Sequence, residues 1–360
     1  MDNNVKNTPA AASEIPKSQA APAKKKIEMP KVLTVAPSPH IKSPETTATV
    51  MFEVLIALMP AFVWGVYIFG WRALVLGVLS VGACVGFEAL TQKILHRTVT
   101  IRDMSAAVTG LLLAMNLPVS VPLWMPIIGA FFAIVVVKQL FGGIGKNFLN
   151  PALAARVFLF SAWASKMSSG AYTAPGSRVN SLAWEMAGSD IIASATPLAS
   201  LKAGEIPGVG ITDMIMGNIG GCIGEVSAVL LAVGGIYLLV RKVITWHIPA
   251  AYIGTVAVLT LLFARGDASA LTFMLYEVFA GGLMIGAFFM ATDYATSPVT
   301  AAGQVIYGIG CGALTVLFRY FGLFPEGVTY AILLMNAFVW LIDRHTAPRR
   351  FGVKKGGNAA

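Results

Sequence analysis

The chain has 360 residues, of which 56% are apolar and only 12% charged, with a mean hydropathy of +0.74. That balance excludes an ordinary soluble domain, in which charged residues make up about 25%, and describes a polytopic membrane protein. A formal charge of +9 would suggest nucleic acid in a soluble protein. Here the basic residues fall between apolar runs and read as topology signals, so nucleic acid is not an expected partner.

Residues 1–48 are rich in Ala, Pro, Lys, Ser and Thr and carry a Lys24-Lys25-Lys26 run. They cannot bury a core and are expected to be a disordered cytoplasmic tail. Ten apolar elements follow, near 50–69, 72–91, 104–119, 122–141, 150–164, 215–240, 246–264, 269–291, 300–321 and 328–343. The runs 104–119 and 150–164 are short for a full crossing and are expected to be half-helices or broken spans. A basic cytoplasmic tail, 344–360, closes the chain.

With residue 1 placed inside, 19 of the 26 Lys and Arg fall on the inner side. That bias supports an even number of spans with both termini cytoplasmic. Arg72 and Arg319 are counted with the outer loops, Lys138 with an inner one, and Arg156 is left within a span. A polar stretch, 165–213, divides the elements into 49–164 and 214–343, five on each side, and lies outside the cytoplasm. Two sets of five would sit in opposite orientations, the inverted-repeat plan of many transport proteins. Asn150-Pro151-Ala152-Leu153-Ala154-Ala155 faintly echoes Ser297-Pro298-Val299-Thr300-Ala301-Ala302, and each follows a polar break.

Acidic groups in or beside apolar runs need a partner, a cavity or the interface. Glu53, Glu88 and Asp343 lie at run ends and are expected to reach water, while Glu225 and Glu277 lie deeper. Asp293 is open to two readings: a ligand in a cation path, or an ordinary helix cap. The Gly281-Gly282-Gly286 and Gly217–Gly224 groups read as faces for close helix packing. Cys84, Cys222 and Cys311 are far apart with no Cys/His cluster, so this chain alone is expected to hold no metal, iron–sulfur cluster or disulfide.

The polar stretch contains Asp190-Ile191-Ile192-Ala193-Ser194-Ala195-Thr196-Pro197-Leu198. By itself it reads as a helix start, with Ser194 as N-cap and Pro197 in the first turn. It also resembles the flavinylation motif D-x-x-[S/T]-[G/S]-A-T, whose threonine carries FMN through a phosphoester. Together with Ser38-Pro39-His40, Ala57-Leu58-Met59-Pro60, Asn147 through Ala152 and Ala291-Thr292-Asp293 through Ser297-Pro298, it resembles the D-subunit family of the Rnf complex. The B subunit of the sodium-pumping NADH:quinone reductase is its relative. The likeness runs in order from about Ser38 to Asp343.

This resemblance implies an all-α membrane protein of about ten helices in two inverted five-helix repeats, similar to urea transporters. It implies a subunit of an oxidoreductase in the bacterial inner membrane, not catalytic alone, that passes electrons between ferredoxin and NAD while Na⁺ or H⁺ is moved. Its partners would be the other Rnf subunits, a flavin transferase during maturation, and membrane lipid. Thr196 matches the attachment residue of covalent FMN, with Asp190, Ser194, Ala195, Pro197 and Leu198 as its setting. Ala193 departs from the motif, standing where the family has a hydroxyl. A second flavin, non-covalent riboflavin, is suggested by the relative. Asn147, Asn150, Thr292, Asp293 and Ser297 are candidates for that site or for a cation path. The competing reading is a transporter or channel of the same plan without a redox role.

Overall fold

The computed structural model describes residues 45–168, 172–176, 178–184, 196–225, 227–266, 269–322 and 326–348. The N-terminal tail through residue 44 lies outside them, as do Asp190, Ser194, Ala195 and residues 349–360.

Helix occupies each of the ten apolar runs. The first two are long: α1 (Thr47–Phe69) and α2 (Trp71–Ile94) meet at Gly70, whose φ of +91° suits a residue without a Cβ. Then come α3 (Ser105–Met115), α4 (Trp124–Phe131) continuing as a π-helix over Phe132–Gln139, and α5 (Pro151–Ala162). Three short helices, α6 (Ala164–Met167), α7 (Pro197–Ala203) and α8 (Ile211–Met216), belong to the polar stretch and its exit. The remainder is α9 (Ala228–Val240), α10 (His247–Leu262), α11 (Ala270–Phe279), α12 (Leu283–Ile285) with a π-helix over Gly286–Met290, α13 (Ala301–Phe321) and α14 (Val328–Thr346).

Three helices, α1, α2 and α13, are long and apolar enough to cross a bilayer, and α11 with α12 forms a fourth candidate bent by 63°. Shorter apolar helices are α3, α4 with its π-helical continuation, α5, α9 and α10. Large apolar side chains face outward around the bundle, among them Val63, Val78, Ile236, Leu262, Phe321 and Trp340. Such a coat suits lipid rather than water.

The 215–240 run is not one helix: α8 stops at Met216 and α9 starts only at Ala228. The Gly217–Gly224 group fills that gap, with Gly217 at φ +89° and a 3-10 turn at Ile223–Glu225, so it is not a helix face, although Gly224 does pack closely on the end of α3, where a Cβ would stand 2.7 Å from Met115 Cβ. At 281–282 the glycines likewise break the helix, Gly281 having φ +66°. Gly286 does pack closely, because a Cβ there would stand 2.5 Å from Val328 Cγ1.

A close helix crossing is that of α10 on α13. Gly308 and Gly312 lie one turn apart on α13, and a Cβ on either would come within 3.0 Å of a backbone oxygen of α10, Ile248 O or Tyr252 O. That is the small-xxx-small way of bringing backbones together in lipid. Gly312→Val should force the helices apart, costing about 1–3 kcal/mol. Heating with a thiol-reactive dye reads this out, since Cys84, Cys222 and Cys311 are free and buried and react only on unfolding.

Candidate functional site

Thr196 is the N-cap of α7, with Pro197 at its first position. This corrects the expected cap at Ser194, which lies outside the described residues. Pro197 supplies the helical φ without needing a bonded N–H. Five other α-helices start on a hydroxyl or amide residue, namely Thr46, Asn150, Ser227, Ser269 and Thr300, and each of those side chains accepts a hydrogen bond from its own first turn. Thr196 makes no such bond. Its hydroxyl has no hydrogen-bond partner among the described residues, although the residue is only 4% exposed. Leu198 packs over Gly281, where a Cβ would lie 2.4 Å from Leu198 Cδ1, and Lys202 Nζ donates to Gly322 O at 2.6 Å. These contacts seat α7 on α11 and α13, at the end of the bundle where α13 finishes.

At the other end, where α1 starts and α2 finishes, a cavity of about 760 Å³ including its open mouth reaches into the bundle. Its enclosed part is only about 90 Å³, smaller than the roughly 300–1,000 Å³ of a drug-sized site. Asn147, Asn150, Thr292 and Asp293 all line it, beside Ser105, Thr109 and Lys138. The two polar breaks therefore converge on one space. Ser297 does not line it but donates its backbone N–H to Asp293 O at 3.0 Å. Asp293 organises its own turn, its carboxylate accepting from Ala295 N (3.5 Å) and Thr296 Oγ1 (3.2 Å). Asn150 caps α5 and reaches across to Met290 O at 3.3 Å. Asn336 joins the breaks: oriented to satisfy its amide, it donates to Thr296 O (3.1 Å) and accepts from Asn150 N (3.2 Å). Both π-helical stretches border the cavity, one through Lys138 and the other through Phe288 and Phe289. Such segments recur at functional sites.

Several charges assigned to water are buried. Glu88 is 1% exposed and pairs with Lys138 at 2.8 Å. Lys138 Nζ also donates to Ser105 Oγ at 2.6 Å, so it is a wall of the cavity rather than a loop residue. Glu53 pairs with Arg241 at 2.6 Å and bonds Tyr237. Arg319 pairs with Glu277 at 2.7 Å. Arg72 is fully buried and donates only to backbone carbonyls. Burial on this scale is tolerated because each charge has a partner or a set of acceptors. None of these pairings has a local signal, since the partners lie far apart in sequence.

The class defined by these features is an all-helical membrane protein with broken helices around a largely apolar cavity that carries a few polar side chains, and with a threonine at the opposite end whose side chain makes no cap bond. The chain belongs to the NQR2, RnfD, RnfE family, whose model matches residues 34–352. It is 47% identical over 326 residues to the D subunit of the Na⁺-translocating ferredoxin:NAD⁺ oxidoreductase complex of Acetobacterium woodii, covering 90% of this chain and 96% of that one. It is 40% identical over 335 residues to the D subunit of the proton-translocating ferredoxin:NAD⁺ oxidoreductase complex of Clostridium ljungdahlii, covering 90% and 97%. With the D subunit of the ion-translocating oxidoreductase complex of Escherichia coli, identity is 33% over 354 residues, covering 90% and 100%.

Proposed function

We propose that this chain is the D-type membrane subunit of an Rnf complex, carrying FMN covalently on Thr196 and passing electrons in a ferredoxin:NAD chain coupled to Na⁺ or H⁺ movement. Near-complete alignment with subunits of that name supports the assignment to the complex. The observation that carries the flavin reading is the Thr196 hydroxyl, set in the Asp190–Leu198 motif and left without a capping bond. Esterifying that oxygen sacrifices no described hydrogen bond, so the residues present fit the group. Bound there, FMN would supply one-electron chemistry at the end of the bundle away from the cavity. The chain's own part is to supply the attachment oxygen and hold it: Pro197 fixes the helix start, and Leu198 and Lys202 anchor α7 on α11 and α13.

Thr196 lies on the extracytoplasmic side in this reading, with both termini in the cytoplasm of a bacterial cell whose inner membrane holds the bundle. Support comes from the bias of Lys and Arg and from the position of α7 opposite the start of α1. The ten helical runs, with breaks after α3 and between α11 and α12, suit two inverted five-helix repeats. The cavity between the two polar breaks is proposed to take riboflavin or the coupling cation, with Asn147, Asn150, Thr292 and Asp293 as its polar lining and Ser297 supporting their turn. The other Rnf subunits would cover the chain's remaining surface, and a flavin transferase would load Thr196.

Intact mass tests the reading. After co-expression with a flavin transferase, the denatured chain is expected to exceed its amino-acid mass by one FMN less a water. A chain weighing only its amino acids would favour the transporter alternative.

A further inference from the structure

Three interruptions in the helices meet on one guanidinium. Arg156, on α5 and 6% exposed, donates from Nη1 to Thr329 Oγ1 (2.8 Å) and Asn116 Oδ1 (3.3 Å). Its Nη2 bonds Glu326, just ahead of α14, and lies 3.5 Å from Cys222 Sγ and 3.8 Å from Glu225 Oε1, both in the gap between α8 and α9. Glu326 also accepts from the Tyr172 hydroxyl. The Arg319–Glu277 pair stands on the far side of Gly281-Gly282; a Cβ on Gly282 would be 3.4 Å from Glu225 Oε1, and one on Gly281 3.8 Å from Arg319 Nη2.

The charges in this cluster do not balance. Among the described residues, three carboxylates (Glu225, Glu277, Glu326) face two guanidiniums, and the remaining polar neighbours, Cys222, Tyr172, Asn116 and Thr329, are neutral. A surplus buried anion is strongly unfavourable. It is relieved by a proton or a small cation.

The hydrogen bonds say where the surplus lies. Glu326 has a guanidinium and a phenol as donors, and Glu277 holds Arg319 at 2.7 Å. Glu225 is 7% exposed; among the described residues its Oε2 receives only Cys222 N at 3.4 Å, and its Oε1 receives no hydrogen bond. Cys222, Glu225 and Glu326 do bring three metal-ligating atoms within 4.8 Å of one another. The Arg156 guanidinium occupies the space between them, however, and a hard cation needs a fuller shell of oxygens than a thiol and two carboxylates provide.

We infer that Glu225 holds an exchangeable proton at Oε1, beside the Arg156–Glu326 pair. The O–H bond forms by uptake of one proton from water and breaks by its return, with no change of oxidation state. Asn116 connects this site toward the cavity, since its amide also meets Met290 Sδ at 3.8 Å and Met290 O accepts from Asn150. The inference rests on charge balance and holds whether or not Thr196 carries flavin.

Infrared difference spectra of the full chain in lipid nanodiscs, taken between H₂O and D₂O at neutral pH, test it. The wild-type spectrum should contain a carbonyl stretch of an un-ionised carboxylic acid that is lost in Glu225→Gln. Glu326→Gln should lose the same stretch, because removing that carboxylate leaves two carboxylates for two guanidiniums and frees Glu225 to ionise against Arg156. This second variant decides the matter should Glu225→Gln fail to fold. A wild type minus Glu225→Gln spectrum showing only an ionised carboxylate overturns the inference. So does a wild-type stretch that disappears when sodium chloride replaces choline chloride, which would make the site one for Na⁺.

Discussion

Thr196→Val should yield a folded chain whose denatured gel band carries no flavin fluorescence, against a fluorescent wild-type band prepared with the same transferase. The loss is expected to be complete, because valine keeps the shape of threonine but offers no oxygen to a phosphate. What makes the variant informative is its stability. At an ordinary capping position, removing the side-chain acceptor costs about 1 kcal/mol. Thr196 accepts no bond from α7, so the change should stay within about 0.5 kcal/mol, as for a substitution that touches no structural feature. Thr300→Val is the matched control: it loses a cap bond to Gly303 N at 3.1 Å, should unfold more readily, and should keep its fluorescence. A Thr196→Val band as bright as the wild type would place the flavin on another residue.

The sequence exposes helices through length and apolarity, and each of the ten apolar runs does contain helix. Where those helices break is harder to read, because glycine serves two opposite ends. Gly308 and Gly312 stay helical and let α10 approach, whereas Gly217 and Gly281 adopt positive φ and end a helix. Both uses demand the absence of a Cβ, and only the surroundings tell them apart. The breaks at Asn147–Pro151 and Thr292–Pro298 are legible as interruptions, through Asn147, Asn150, Thr292 and Asp293. Their convergence on one cavity is not, since it depends on how α4, α5 and α12 pack. Charges near run ends misled for a related reason. A hydropathy pattern places Glu88 and Lys138 next to water, while the fold places them next to each other. Thr196 is found by its motif; that its side chain makes no cap bond is a property of the folded α7.

Arg72→Met should be among the most destabilising single changes in the chain, although it removes no ion pair. Arg72 is 0% exposed, and its guanidinium donates to Val119 O (3.0 Å), Val121 O (2.9 Å), Ser181 O (2.9 Å) and Ala183 O (2.8 Å). Two irregular stretches, one after α3 and one in the polar segment, are thereby held against the start of α2. Neither has a helix to satisfy its carbonyls, and inside an apolar bundle water is a poor substitute. Hydrogen bonds to a charged group are worth about 1.5–3 kcal/mol each, so losing four costs on the order of 5 kcal/mol or more even with partial relaxation. The planar fork of arginine serves carbonyls on both sides at once, which a lysine ammonium does not. Arg72→Lys should therefore recover only part of the loss. In the thiol-dye assay, Cys84, Cys222 and Cys311 should become reactive at a clearly lower temperature in Arg72→Met, with Arg72→Lys between it and the wild type. An unchanged midpoint in the methionine variant would mean that the two stretches are held by other contacts, such as Val179 N to Phe69 O (2.8 Å) and Leu123 N to Trp184 O (3.0 Å), and that the guanidinium is dispensable.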